Sequence, residues 1–487
     1  MTNGTHLQVK SARVWKNFLH VRDNPLLTPG GELTSGVRMR RGNVRMRGGA
    51  SAQVPLLGLG VGFPLAPVAA RRCPRFCISA FQFFHEAGRV VLNLILSALA
   101  VLSQVLLLWQ WRVARRFEFQ RSAGLRPGEL GKPAENLPNR SSALHAIALL
   151  KPLNGADEHT AMCLRSWLAQ NYSAPVQVLF GVASEDDPAC VVVRRVLAEF
   201  PQCDAQLVIC RESLGANPKV STLIQLERLA KHELLCVSDA DVCAPADWLT
   251  GSATLLEQSG ACLANSFYRL ANPVSLAMRC EAVAVNADFW SQVLMARSLK
   301  PMDFALGAAM LMRRGDVSRI GGFAAIADYL ADDFQLGRRL AKNGGRIEIS
   351  PQVVSCWDAP TGWAGVWRHQ LRWARTIRAC QPLPYFFSVL SNATFWPALW
   401  AVAATDWRTL LFLVVALVAR GLVTLDLQRR LAGKVEGRKQ KAETFFWLAP
   451  VKDLLQMAVW FAAFTGNTVA WRGRRMRVKR DGTLGRV

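Results

Sequence analysis

The chain has 487 residues, 51% of them hydrophobic, and a formal net charge of +24. A soluble nucleic-acid-binding protein can carry such a charge, but 16 Trp and several long uncharged apolar segments argue against that class. A membrane protein with basic flanks fits better, because Lys and Arg are attracted to the anionic cytoplasmic surface. The 12 cysteines are scattered without a Cys-x-x-Cys pair, which is typical of reduced thiols in a cytosolic compartment.

The chain begins with a basic, glycine-rich stretch, residues 1–89, for which we predict a disordered extension. It either touches anionic lipid or nucleic acid or has no function, and residues 51–70 form only a weak apolar segment within it. Val90–Trp111 is a stronger signal, because its 22 residues carry no charge and end in a Trp-x-Trp pair. The pattern predicts a transmembrane helix over 90–111, and the polar, proline-containing stretch 112–142 predicts a linker.

From residue 143 to about residue 380, short apolar strands alternate with amphipathic helices. This alternation predicts an α/β domain with a parallel sheet. The predicted strands are Ala143–Leu150, Val176–Val182, Ala205–Cys210 and the short apolar stretch that starts at Leu234. The predicted helices are Asp157–Gln170, Cys190–Glu199 and one that ends near Lys231. Ligands of such sheets bind beyond the carboxyl ends of the strands.

Charged side chains follow three of the predicted strands. Lys151 follows the first, Asp186 and Asp187 follow the second, and Asp239 and Asp241 follow the central one. Because side chains two residues apart on a strand point to the same side, the Asp-x-Asp pair can face one hard cation with oxygen ligands only. A solvated turn is the alternative for an isolated Asp-x-Asp. Several polar groups that converge on one sheet edge are hard to explain as separate turns.

Two later motifs add charged residues to this set. Asp332 and Asp333 stand at the start of a predicted amphipathic helix, where acidic residues also occur as ordinary caps. Trp367–Arg375 is predicted to be a helix with three arginines on one face, among them Arg372 beside Trp373. We expect this basic helix to lie on the membrane surface as well.

The C-terminal region, residues 381–471, is predicted to be a membrane region. Spans near 383–404 and 409–426 are long enough to cross a bilayer. Arg420 interrupts the second span, and an intramembrane arginine needs a partner or a cavity.

The segment near 445–471 is predicted to be a re-entrant loop or a third span, because charges interrupt its apolar run. Within it, Lys452 and Asp453 either line a lipid entrance or form a simple surface pair. Residues 472–487 are predicted to be a basic cytosolic tail.

The motifs together resemble a known family. An acidic pair, Asp-x-Asp, Asp-Asp-Phe and Arg-Trp occur in one order, as in processive and lipid glycosyltransferases with a GT-A fold. Further stretches resemble the ceramide glucosyltransferase family, and most closely its bacterial hopanoid-biosynthesis relatives, which add N-acetylglucosamine to bacteriohopanetetrol. These stretches are Lys151-Pro152, Glu185–Ala189, Gly215–Lys219 and Leu311–Arg314. The sequence departs from the family pattern at His369, the first position of the (Q/R)xxRW motif.

The resemblance implies a GT-A nucleotide-diphospho-sugar transferase fold with N- and C-terminal transmembrane helices. It implies that Asp239 and Asp241 hold Mg²⁺ or Mn²⁺, which would neutralise charge on the diphosphate of a UDP-sugar. The residues implied to bind the nucleotide-sugar are Lys151, either Asp186 or Asp187, Lys219 and Asp239.

The resemblance also implies the groups that act on the acceptor. Asp333 would be the general base that removes a proton from the acceptor hydroxyl. Asp332 is the alternative base, and otherwise it caps its helix. Direct attack with one base inverts the anomeric centre, so an α-linked donor would give a β-glycoside. Arg372 and Trp373 would shape the boundary between donor and acceptor.

The implied protein is a membrane-bound inverting glycosyltransferase that moves N-acetylglucosamine or glucose from a UDP-sugar to a membrane lipid alcohol, either a hopanoid polyol or ceramide. It would be a multi-pass protein of the bacterial inner membrane, with its catalytic domain in the cytosol and no nucleic-acid partner. Two alternatives stay open: a processive polysaccharide synthase, and a non-enzymatic basic membrane scaffold.

Overall fold

The computed structural model describes residues 75–120, 145–433, 443–471 and 474–486. The predicted extension up to residue 74, with its apolar segment 51–70, lies outside these residues, as do residues 121–144 of the predicted linker.

Strands and helices alternate in the first part of the described chain, and helices dominate its end. The strands are β1 (Ile147–Pro152), β2 (Val176–Val182), β3 (Asp204–Ile209), β4 (Leu234–Ser238), β5 (Val242–Cys243), β6 (Leu263–Leu270), β7 (Ala309–Arg313), β8 (Ile347–Cys356), β9 (Thr468–Trp471), β10 (Arg474–Val478) and β11 (Leu484–Arg486). The helices are α1 (Arg75–Arg115), α2 (Thr160–Leu168), α3 (Pro188–Glu199), α4 (Pro218–Leu229), α5 (Trp248–Ser259), α6 (Leu276–Val283), α7 (Trp290–Leu299), α8 (Arg314–Arg319), α9 (Asp332–Lys342), α10 (Trp363–Cys380), α11 (Pro382–Phe387), α12 (Phe395–Ala404), α13 (Trp407–Ala432) and α14 (Ala449–Phe464). A π-helical turn, Ala284–Phe289, joins α6 to α7.

Eight strands form one sheet in the order β3-β2-β1-β4-β7-β6-β8-β5. β1 to β4 are parallel, as the alternation of strands and helices predicts. β7 is antiparallel to both of its neighbours, and β5 is antiparallel to β8. The sheet is therefore mixed, because strand direction depends on where the chain re-enters the sheet and not on the local pattern.

The core lies on both faces of this sheet. β1 and β4 are buried along their whole length, which is expected of central strands that carry helices on both sides. One face packs against Trp167 and Trp248, whose rings meet edge-on at 5.2 Å. On the opposite face, Phe267 of β6 packs against Trp290 of α7, with ring centroids 6.0 Å apart. The rigid sheet therefore fixes the positions at which the loops of the site begin.

The first helix is longer than predicted. α1 begins at Arg75, so the predicted disorder is wrong for residues 75–89. Its part from His85 to Arg115 is long and apolar enough to cross a membrane. Gln110 in α1 donates to Ser291 of α7 at 2.7 Å, which ties this helix to the α/β domain.

A second helix of the described residues, α13, is also long and apolar enough to cross a membrane. The segment predicted as a span near 383–404 is broken: Pro382–Ser391 and Phe395–Ala404 meet at an angle of 55°, which forms either one bent span or a re-entrant loop. α14 is only about 24 Å long at 1.5 Å per residue, short of a bilayer core of about 30 Å. The number of crossings near 445–471 stays a prediction.

Residues 468–486 do not form a simple tail. β9, β10 and β11 form a small antiparallel sheet. The backbone of Leu484 donates to the carbonyl of Asp328 at 2.7 Å, four residues before α9 begins. The basic C-terminal residues thus support the loop that leads into the Asp332-Asp333 motif.

The arginine within α13 has the partners that its burial requires. Arg420 is only 3% exposed and makes paired hydrogen bonds of 2.8–3.0 Å to Asp288 of the π-helical turn and to Asp453 of α14. Lys452 contacts both carboxylates as well. Lys452 and Asp453 are buried, so the prediction of a simple surface pair is wrong. The four charges balance and join α13, α14 and the α/β domain.

Candidate functional site

The Asp-x-Asp motif forms the turn between β4 and β5, at the carboxyl edge of the parallel strands. Lys151, near the end of β1, lies beneath this turn. Its ammonium donates to Ser238 Oγ at 3.2 Å and to the carbonyl oxygen of Asp239. Burial lowers the pKa of Lys151, although nearby acidic groups, including Asp241, oppose that shift. The side chain is fully buried and its contacts hold this turn in position, so direct binding of a nucleotide by Lys151 stays a prediction.

Lys219 connects the two acidic motifs directly. Its Nζ lies 2.7 Å from Asp239 Oδ1 and 2.9 Å from Asp332 Oδ2. Burial opposes the charge on Lys219, but the carboxylates of Asp239 and Asp332 outweigh it and raise its pKa. Asp332 therefore serves as an ion-pair partner, and its predicted role as a helix cap is wrong: Ala331 occupies the N-cap of α9.

The loop before α4 is what brings Lys219 to this position. Asn217 caps α4 by accepting from the backbone N–H of Lys219, and its side-chain amide donates to the Tyr329 carbonyl at 2.8 Å. Gly215 has φ +152°, and a Cβ there would lie 2.5 Å from Ala327 Cβ. The motif Gly215–Lys219 thus needs glycine and asparagine because it packs directly on the chain that leads to α9.

Asp333 lies in the first turn of α9, next to the ion pair. Its Oδ1 accepts from the Phe334 backbone N–H at 2.7 Å, and its side chain covers Gly307, where a Cβ would come within 2.9 Å of Oδ2. Burial and the adjacent charge of Asp332 raise the pKa of Asp333 to about 6, against the opposing effect of Lys219. A carboxyl group with such a pKa is ionised near neutral pH and is a better proton acceptor than an ordinary aspartate.

The acidic pair after β2 lies at the same edge but makes different contacts. Asp187 caps α3 through Ala189 N and also accepts from Gly155 N at 2.9 Å, which ties the loops after β1 and β2 together. Asp186 is exposed, and its recorded contacts are with Ser184 two residues earlier. Asp186 is therefore the member of the pair whose carboxylate is better placed for a ligand.

α10 carries the basic aromatic motif. Trp373 packs against Tyr268 and Phe289, with ring centroids 6.4 and 6.3 Å away, and Arg372 precedes it on the same helix. His369, where the family pattern has Gln or Arg, contacts the Trp373 ring at 4.5 Å and makes a 2.7 Å hydrogen bond through Nδ1 to Glu281. The departure from the motif thus introduces a ring that packs on its tryptophan.

The turn between β4 and β5 fits a divalent cation. Mg²⁺ in nucleotide sites takes one or two protein carboxylates, while substrate phosphates and water complete the shell. Asp239 and Asp241 supply two, and no group of three or more His, Cys, Asp or Glu that could hold a metal occurs in the described ranges. Burial, followed by the charges of Asp239 and Asp358, raises the pKa of Asp241 to about 7. A cation between these carboxylates would relieve their repulsion.

Two residues near the site belong to none of the motifs: Tyr268 lies within β6, and Asp358 follows β8. The carboxylates of Asp333, Asp241 and Glu281 all raise the pKa of the Tyr268 phenol, after burial, which is the main cause. Asp358 follows β8 and raises the pKa of Asp241. Its place after a strand was the signal that could have identified Asp358.

Comparison with known proteins supports the resemblance that the motifs indicated. Ceramide glucosyltransferase 3 of Caenorhabditis elegans is 25% identical over 210 residues, 43% of this chain and 45% of the relative. The ceramide glucosyltransferase of Candida albicans is 30% identical over 121 residues, 23% of this chain and 22% of the relative. The chain thus matches less than half the length of these curated relatives.

Among solved structures, the mannosyltransferase PcManGT from Pyrobaculum calidifontis, in complex with GDP-Man and Mn²⁺, aligns with 77% of this chain and 99% of its own, with a TM-score of 0.43 and 19% identity. The family model "Glycosyl transferase family 21" matches residues 94–484. The family match and the curated relatives confirm the resemblance to ceramide glucosyltransferases, and the mixed α/β sheet agrees with the GT-A-like fold that this family implies, while closeness to the hopanoid enzymes stays a prediction. The chain belongs to glycosyl transferase family 21.

Proposed function

We propose that this protein is a membrane-bound inverting glycosyltransferase that moves a sugar from a UDP-sugar to the hydroxyl of a membrane lipid alcohol. The observation that carries the proposal is the Lys219 ammonium, which pairs with Asp239 and Asp332 and so joins the cation motif to the motif of the base. Family membership supports sugar transfer, and the ceramide glucosyltransferase relatives support a lipid acceptor. The candidate sugars are glucose and N-acetylglucosamine. The candidate acceptors are ceramide and a hopanoid polyol.

On the donor side, the diphosphate is the leaving group. A divalent cation held by Asp239 and Asp241 would supply the positive charge that stabilises it. Lys151 fixes the backbone of that turn, and Lys219 holds the Asp239 carboxylate in place. Lys219 therefore acts on the diphosphate indirectly, by positioning Asp239. Asp186, which is exposed, is the carboxylate that contacts the nucleotide.

On the acceptor side, Asp333 takes the proton as the acceptor oxygen attacks the anomeric carbon. The bond to the diphosphate breaks as the new glycosidic bond forms, so the configuration at that carbon inverts. The first turn of α9 is held by the Asp332–Lys219 ion pair on one side and by the β9–β11 sheet on the other. Asp333 is therefore in position before the substrate binds, which favours it as the base.

Two helices that are long and apolar enough to cross a membrane support a position of this chemistry beside a bilayer. α1 and α13 expose apolar side chains along much of their length, among them Leu94, Val101, Val414 and Val418. Outward apolar side chains of this kind are suited to lipid contact. We infer a multi-pass protein of the cytoplasmic membrane, with the α/β domain in the cytosol, where nucleotide sugars are made.

The pH dependence of the reaction should follow Asp333. Its pKa is raised to about 6, and the base acts only when it is deprotonated. The transfer rate should therefore be near its plateau above pH 7 and fall as the pH drops through 6, to about one-tenth of the plateau at pH 5. Initial rates at saturating donor and acceptor, measured from pH 5 to 8, check this. A flat profile over that range would contradict the role of Asp333.

The decisive experiment is a transfer assay with the purified full chain in detergent. UDP-glucose and UDP-N-acetylglucosamine are each offered with ceramide and with bacteriohopanetetrol, and products are identified by mass spectrometry. We expect one glycolipid with a single added sugar, transfer that stops in EDTA and returns with Mg²⁺ or Mn²⁺, and no transfer by Asp239→Asn.

Asp204→Asn is the matched control, because Asp204 is an exposed carboxylate whose ion pair, at 3.0 Å, is with Lys231 on the surface. It should keep full activity. A polymeric product would instead support a processive polysaccharide synthase. Absence of transfer, with Asp239→Asn indistinguishable from the native chain, would support the non-enzymatic scaffold. Full activity in EDTA would overturn the cation assignment.

A further inference from the structure

A small pocket lies between α6, α10 and α14, on the side of the domain that carries the membrane helices. It has a volume of about 20 Å³, which holds a single hydroxyl group or a water but not a sugar ring. Its lining is mixed, with apolar side chains and a few polar ones. The lining residues are Cys280, Glu281, Ala284, Val366, Gln370, Lys452, Leu455, Gln456 and Val459.

The carboxylate of Glu281 is the strongest acceptor in this pocket. The side chain is only 5% exposed. Its hydrogen-bond partners are an imidazole and an amide, whereas the buried carboxylates of Asp288 and Asp453 pair with the Arg420 guanidinium. His369 Nδ1 lies 2.7 Å and Gln370 Nε2 2.8 Å from the same oxygen, Glu281 Oε1. Both partners come from α10, so the first position of the (Q/R)xxRW motif holds the pocket's carboxylate in place.

The pocket is coupled to the reaction centre by a short series of contacts. His369 touches Trp373 at 4.5 Å, and Trp373 packs on Tyr268. Tyr268 stands in β6, which pairs with β8, and Trp357 just after β8 donates its backbone N–H to the carbonyl of Asp241 at 3.0 Å. Packed elements thus connect the pocket to the turn that carries the Asp-x-Asp motif.

Apolar walls and their surroundings favour a lipid over the donor as the occupant. Val366, Leu455 and Val459 line the pocket, while Leu454 and Phe461 on the outer side of α14 are 50% and 58% exposed. A nucleotide or a sugar ring is larger than this pocket of about 20 Å³, and several of its polar groups would lie unpaired against the three apolar side chains. A lipid needs only its one or two polar groups to be bound here.

We propose that the pocket binds a second polar group of the lipid acceptor, a hydroxyl or an amide N–H next to the hydroxyl that is glycosylated, through a hydrogen bond to Glu281. This inference rests on the proposed function and adds acceptor specificity to it. Acceptors with two neighbouring polar groups are therefore preferred over lipids with a single hydroxyl. Glu281 is a specificity-determining residue here, and His369 and Gln370 are its positioning residues.

The test compares acceptors that differ in one polar group. Hexadecane-1,2-diol and hexadecan-1-ol are offered in the same detergent micelles, alongside ceramide, and kcat and KM are measured separately for each. For the native chain we expect kcat/KM for the diol to exceed that for the mono-alcohol at least about tenfold, as for a hydrogen bond to a charged group. Glu281→Gln should reduce this ratio toward one, mainly by raising KM for the diol.

A second variant keeps Glu281 and fills the space. Ala284→Leu places a larger side chain into the pocket and should raise KM for the diol and for ceramide without changing KM for the mono-alcohol or the donor. Glu257→Gln is the matched control, since Glu257 is a surface carboxylate paired with Arg313, and it should behave as the native chain.

The outcomes separate this inference from the proposed function. Equal kcat/KM for diol and mono-alcohol in the native chain, or an unchanged ratio in both pocket variants, would overturn the pocket while leaving sugar transfer to a lipid intact. Absence of transfer to ceramide and to both alcohols would overturn the inference together with the lipid acceptor.

Discussion

Asp333→Asn is expected to lower kcat for sugar transfer by about 10²–10⁴-fold, the usual contribution of a positioned general base. The amide keeps the size of the side chain and its place over Gly307, so binding of the donor should change little. Stability should not fall. The raised pKa of Asp333 means that the folded protein disfavours its charge, so a neutral side chain removes repulsion with Asp332.

The measurement is kcat with saturating donor and acceptor, together with the thermal unfolding midpoint in detergent. Asp332→Asn is the informative comparison, because it removes one of the two carboxylates bound to Lys219. We expect Asp332→Asn to lower the unfolding midpoint, and Asp333→Asn to leave it equal or higher. If the fall in transfer rate below pH 6 disappeared in Asp332→Asn but persisted in Asp333→Asn, the base would be Asp332.

The second large effect is expected at the buried charges between the membrane helices and the α/β domain. Arg420→Met leaves Asp288 and Asp453 with only the Lys452 ammonium, and thus one uncompensated buried negative charge. Removal of one member of a buried ion pair costs about 3–5 kcal/mol. We therefore expect a large fall in the unfolding midpoint, or poor recovery of folded protein from membranes.

A double variant makes this prediction specific to charge balance. Adding Asp288→Asn to Arg420→Met leaves Lys452 and Asp453 as a neutral pair and should recover part of the lost stability. Arg430→Met is the surface control: Arg430 pairs with Asp426 one turn away and is partly exposed, so its loss should cost no more than about 1 kcal/mol. A double variant no more stable than the single one would show that the charges act independently.

The agreement between sequence and structure is best where a local pattern has one physical solution. Buried aliphatic runs became β1, β2 and β4, since short runs of this kind between turn residues are typical of strands in a sheet covered on both faces. The Asp-x-Asp pair came to its edge because the residues after parallel strands share that edge. The long uncharged run after residue 90 became part of a helix fit to cross a membrane.

Agreement is poorest where a residue's role depends on a distant partner. Lys151 looks like a phosphate-binding lysine in its motif, yet the turn after β4 covers it completely. Asp332 looks like a helix cap, yet its carboxylate pairs with Lys219 in the first turn of α4, over a hundred positions earlier in the chain. Glu281 belongs to no motif and became part of the candidate site only through His369 and Gln370.

The chain's local sequence was thus enough to indicate the α/β class, the helices long and apolar enough to cross a membrane, and the family, and it led to the prediction of Asp239, Asp241 and Asp333 as site residues. Hydrophobic periodicity and strand-end positions depend on neighbours within a few residues, so they can be recognised without the fold. Tertiary packing alone decided which charges meet: Lys219 with two aspartates, and Arg420 with Asp288 and Asp453. An ion pair depends on distance and burial in space, and residues far apart in the chain carry no local mark of either.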